Sequence, residues 1–204
     1  PAIRAKAAEA LTRAGRRAAS LGASEEAGRS LLAAAELVDD RARQAELYAE
    51  AGDAAFSGGR WGDARERLEH AVTLFNEAGL SHTAARVAGQ LGWAIWMGGD
   101  LAAGLERIEE ALQVLADEEP DEDLAALIEI HARLLFFVGD IENAGERVER
   151  ALEIAEALVL PDVLVDALNT KHLVVSGRRR REEALALIER AVAIGRTREP
   201  TRAY

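Results

Sequence analysis

Apolar side chains recur along this chain at helical spacing, and glycine interrupts them at regular intervals. Between Ser81 and Met97 the apolar positions include Leu91 and Ile95; between Asp100 and Asp117 they are Leu101, Leu105, Ile108, Leu112 and Leu115. Residues three or four apart share a helical face, so each stretch predicts a helix with one apolar stripe. Gly98-Gly99-Asp100 predicts the turn between them, because glycine tolerates positive φ and aspartate caps a helix start. Val138-Gly139-Asp140 predicts the same turn one unit later. Pro120-Asp121 and Pro161-Asp162 predict the end of one helix pair and the cap of the next.

The small residues carry a longer period. Gly22, Ala27, Leu31 and Ala34 are echoed by Gly59, Ala64, Leu68 and Ala71, then by Gly99, Gly104, Ile108 and Ala111. Gly139, Ala144, Val148 and Ala151 follow, and a last copy has Ala184, Ile188 and Ala191, with Arg179 in the glycine's place. The final alanines stand 37, 40, 40 and 40 residues apart. A fixed period of this size marks a solenoid of helix-turn-helix units, which most often serves as a binding surface. Gly15, Gly52, Gly92 and Ala132 hold the matching small position on the first helix of each unit, where two helices must approach closely. His172 stands there in the fifth unit, which predicts looser packing. The expected units are 3–39, 40–79, 80–119, 120–160 and 161–199, in a single superhelical domain. Residues 200–204 read as the opening of a sixth unit cut short, and the chain as part of a longer protein.

This pattern resembles the tetratricopeptide repeat (TPR) family over roughly residues 3–198. Its small position on the first helix, its turn glycine and its two second-helix alanines match the residues above. Its large residue at the start of the second helix matches Trp61, Leu101 and Ile141, while Ser24 and Arg181 depart from it. The period departs too, at about 40 residues against the family's 34. The resemblance implies an all-α, right-handed solenoid of about five repeats. The phrases from Ala14 to Ala23 and from Ala151 to Ala155 are similar to the C-terminal solenoids of large bacterial ATPase-linked regulators, of cyclase or LuxR type. That implies a cytoplasmic part in signalling or transcription regulation.

Charge narrows the partner. The net charge is −11, from 36 acidic and 25 basic residues, so no basic face awaits nucleic acid. No apolar run approaches the ~18 residues of a membrane span. Cysteine is absent, which excludes disulfides and thiolate metal sites. There is no phosphate-binding loop, and the histidines 70, 82, 131 and 172 never pair at helical spacing as metal ligands do. Neither a catalytic constellation nor a cofactor or metal site is expected. His131 and His172 read as buried, hydrogen-bonded histidines. The run Arg178 to Arg181 reads as an exposed turn; its functional alternative is an anion or acidic-partner site.

The first helices supply the candidate site. Their inward positions are Glu50, Asp53 and Phe56; Arg86, Gln90, Trp93 and Met97; Glu129, Arg133 and Phe137; Asn169 and Leu173. Trp96 and Phe136 flank them, and Trp61 reads as core. Aromatics and Met beside Arg are typical of interaction hot spots. The expected partner-binding groove is therefore Arg86, Gln90, Trp93, Met97, Glu129, Arg133, Phe137 and Asn169. It would take a peptide, a helix or a neighbouring domain, with Arg86 and Arg133 anchoring a carboxylate. A structural spacer or self-association arm, and a small-ligand sensor, remain the alternatives.

Overall fold

The computed structural model describes residues 2–117, 119–177 and 180–197. Among the described residues there are ten helices and no strand. In chain order they are α1 (Ala2–Ser20), α2 (Ser24–Ala35), α3 (Arg41–Ser57), α4 (Trp61–Glu77) and α5 (Ser81–Met97). Then come α6 (Leu101–Val114), α7 (Glu122–Val138), α8 (Ile141–Ala157), α9 (Pro161–Gly177) and α10 (Arg181–Thr197). Odd and even helices are the first and second members of successive hairpins. No helix among the described residues is long and apolar enough to cross a membrane.

The turn inside each of the first four hairpins follows from its glycine. Gly59 has φ +71°, its N–H bonds the Phe56 carbonyl at 2.9 Å, and Arg60 N–H bonds the Ala55 carbonyl at 2.9 Å. These two bonds satisfy carbonyls that the helix end orphans, in a Schellman arrangement. Gly139 repeats the arrangement through Phe136 and Leu135. Asp100, Asp121 and Asp140 cap the next helices, through the N–H groups of Ala103, Leu124 and Asn143. Asp162 differs from its expected role: Pro161 opens α9, so Asp162 lies inside the first turn. Proline suits that first position because its missing N–H would have no helical partner there. The helix expected to run to Asp117 ends at Val114.

The chain divides into two compact units within α6, between Arg107 and Ile108. In the first unit, a Cβ on Gly52 would stand 2.6 Å from Leu68 Cγ, and one on Gly15 would stand 2.7 Å from Leu31 Cγ. Each leucine fills the space its glycine leaves, which sets how closely the hairpin closes. Gly104 approaches backbone instead: its Cβ would meet the Gly92 carbonyl at 2.7 Å. In the second unit Ala132 faces the smaller Val148 in the same register, both buried. His172, where a small residue is expected, sits half-buried with Nδ1 3.0 Å from the Ala184 carbonyl. A hydrogen bond there replaces close backbone approach.

Candidate functional site

In the first unit, Arg16 on α1 reaches across to α3. Its Nε and Nη2 donate to the two carboxylate oxygens of Glu50 at 2.8 and 2.6 Å. Beside this fork lies a hollow of about 270 Å³ lined by Arg16, Ala19, Gly22, Ser24, Leu31, Glu50, Asp53, Ala54 and Ser57. Asp53 is solvent-accessible yet crowded by protein. That crowding pushes its carboxyl up to about 6; the Arg86 charge pulls it down and the Glu50 charge adds to the rise. Arg86 and Gln90 on α5 are half-buried, and Gln90 Oε1 is buried with no hydrogen-bond partner. Trp93 and Trp96 are half-buried with ring centroids 4.7 Å apart, and Met97 is exposed. Phe56 meets Trp61 edge-on at 4.9 Å. Trp61, the first residue of α4, is half-buried rather than core.

In the second unit the face closes on itself. Glu129 on α7 is 3 % exposed and Thr170 on α9 is fully buried. Arg133 Nη2 contacts Glu129 Oε1 at 2.6 Å, and its Nε donates to Thr170 Oγ1 at 2.9 Å. The Thr170 hydroxyl donates to the same Glu129 oxygen, and Arg133 Nη2 also donates to the Asp166 carbonyl at 3.3 Å. Burial pushes the Glu129 carboxyl up, against the pull of Arg133 and the Thr170 hydrogen bond. Glu129 therefore lies beneath the face on which it was expected. Phe137 is 47 % exposed and meets Phe136 edge-on at 5.4 Å; Asn169 is exposed.

His131 is buried as expected, but neither ring nitrogen has a hydrogen-bond partner, and Glu109 Oε1 stands 3.5 Å from Nε2. Burial, then the Arg147 charge, hold this imidazole below its usual range. Of the arginine run, Arg180 pairs with Glu183 at 2.6 Å and Arg181 opens α10. Arg178 and Arg179 lie outside the described residues, as do residues 200–204.

Arg16, Asp166 and Thr170 are not among the expected groove residues. A signal was present. Arg16 and Arg133 each directly follow the small residue of their helix, and Glu50 and Thr170 each stand two residues before the next small position. The two links are one interaction in repeat register.

No protein-family model and no curated protein sequence matches the chain. Solved structures do. Nearly identical TPR-like repeats of a Podosopora anserina kinesin light chain are 18 % identical, with TM-score 0.71, over 94 % of this chain and 95 % of that one. A signal transduction ATPase with numerous domains from Pyrococcus horikoshii, carrying a tetratricopeptide repeat sensor, is 15 % identical with TM-score 0.71, over 92 % of this chain and 29 % of that one. A Rap protein complexed with competence and sporulation factor is 14 % identical with TM-score 0.75, over 90 % of this chain and 52 % of that one. Together with the ten helices and their glycine turns, these likenesses show that the chain has the all-α, TPR-like solenoid fold.

Proposed function

We propose that this chain is a protein- or peptide-binding module that works through the faces of its odd-numbered helices. The observation that carries the reading is the apolar surface left open there: Phe137 beside Phe136, and Met97 one residue from Trp96. Large apolar side chains held out on rigid helices lose little freedom on binding and bury much area. The solved Rap protein complexed with its factor supports a peptide as the occupant. The finer expectation is a regulatory module of a bacterial signalling or transcription protein: the likeness to the tetratricopeptide repeat sensor of the Pyrococcus signal transduction ATPase supports its signalling part, and the phrases at residues 14–23 and 151–155 carry the rest. Of the two arginines expected to anchor a partner carboxylate, Arg133 is engaged within its own unit.

The test is peptide display against the whole chain, followed by binding to the Met97→Ser, Phe137→Ser double variant. Selected peptides are expected to lose about tenfold or more in affinity, about 1.4 kcal/mol. Equal binding to the variant, or no enriched peptide, overturns the reading. A second reading, self-association, draws on α10, which leaves Leu185 and Val192 exposed. Light scattering across a concentration series decides it, with Leu185→Glu as the breaking variant.

A further inference from the structure

We propose that the hollow between α1, α2 and α3 receives an arginine side chain of a bound polypeptide, with Asp53 as its counter-ion. This rests on the peptide-binding reading and names the chemistry of one anchor.

Repeat register makes the case. Links between successive odd-numbered helices start at the residue after the small position, and two of those residues are Arg16 and Arg133. In α3 the same position is Asp53, which lines the hollow. Where α1 and α7 supply a guanidinium, α3 offers an acid. No hydrogen bond or ion pair joins Asp53 to another described residue; Arg86 acts on it through charge alone.

The hollow fits an arginine side chain in charge, size and shape. Arg16 and Glu50 neutralise each other, so the lining carries one net negative charge, that of Asp53. A volume of about 270 Å³ falls below the usual range for whole small-molecule ligands and leaves room for one long side chain. Leu31 and Ala54 form an apolar floor for methylenes, as long basic side chains require. Ser57, one turn beyond Asp53, and Ser24 at the start of α2 add hydroxyl acceptors. A planar fork of five donors uses a carboxylate and two hydroxyls better than a lysine ammonium does.

The probe is the acetylated, amidated tripeptide Gly-Arg-Gly, with lysine and citrulline versions, titrated into the whole labelled chain and followed by amide NMR. Citrulline keeps the shape of arginine and removes its charge. Saturable shifts are expected at Ser24, Asp53 and Ser57, with the citrulline peptide about tenfold or more weaker and the lysine peptide between them. Asp53→Asn is expected to weaken the arginine peptide about tenfold, Ser57→Ala by less, and Glu69→Gln on α4 not at all. Equal binding of citrulline, equal binding by Asp53→Asn, or shifts spread evenly over the acidic surface overturns the proposal. The two readings fail separately. Display-selected peptides that need Met97 and Phe137 but no arginine overturn this anchor and keep the module. Arginine binding at Asp53 with no selected peptide does the reverse.

Discussion

The two compact units tie neighbouring repeats together with the same link and put it in opposite surroundings. In the first, Arg16 and Glu50 meet where water reaches both, with the guanidinium 56 % exposed. In the second, Arg133 closes over Glu129 and Thr170, which water does not reach. An exposed pair gains little because solvent screens it, whereas a buried acid depends on its partner. The comparison separates a link open to water from a link sealed for stability.

Removing the arginines breaks that comparison most directly. Arg133→Ala strands a carboxylate inside the second unit, and because Arg133 itself is partly exposed we expect the low end of the usual cost, about 3 kcal/mol. Arg16→Ala leaves Glu50 free to hydrate and should cost less than about 1 kcal/mol. Urea midpoints measure both, and amide exchange should quicken in α7 and α9 for the first variant alone. Lysine should not rescue position 133, because one ammonium cannot reproduce the fork to Glu129 and Thr170. Equal losses from the two alanine variants would show that burial does not distinguish the links.

The turns between hairpins offer a second contrast. Gly79, before α5, has φ +74°, and Val159, at the matching place before α9, has φ +56°. A branched L-residue in the left-handed region costs roughly 1–2 kcal/mol, and glycine gives back about 0.5–1 kcal/mol as chain entropy. Val159→Gly should therefore stabilise the second unit by about 0.5–1 kcal/mol. Gly79→Val should destabilise the first by a similar amount, since nothing lies within 4 Å of a Cβ there. Thermal denaturation of both variants reads the pair.

What the sequence made legible divides along the same line. Helices, turn glycines and small-residue pairs could be read because packing repeats them from one repeat to the next, the turn glycine in the first four. The links could not be read so directly: Arg16 and Glu50 lie 34 residues apart, Glu129 and Thr170 lie 41 apart, and neither pair belongs to one local pattern. Glu129 was expected on the right helix, but its burial depends on Thr170, a residue of ordinary appearance from the next repeat. Trp61 reads as core because its position is large in the TPR pattern; it opens α4 and is half-buried, with Phe56 edge-on beside it. His131 was read correctly as buried, yet its missing hydrogen bonds depend on how Glu109 approaches it.

The open acid gives the smallest effect and the sharpest sign. Asp53 faces Glu50 on its own helix and Arg86 on α5, with Arg16 across the hollow. Its carboxyl is raised from 3.8 to about 6 in the folded chain, so between those values the folded state holds a proton that the unfolded state has released. Stability contributed by this group is present at low pH and is lost as pH rises through about 6. Asp53→Asn removes the loss: the variant should match the parent near pH 4 and exceed it at pH 7.5. The gain should be only a few tenths of a kcal/mol, because water reaches the carboxylate and screens it. Glu129 is raised by burial in the same direction, but Glu129→Gln also gives up the contact with Arg133, so its gain at neutral pH should vanish or reverse. Urea midpoints for both variants across pH 4 to 8 would show whether the first unit keeps an acid it does not need for folding. An Asp53 variant less stable than the parent at pH 7.5 would make that acid structural, as Glu129 is.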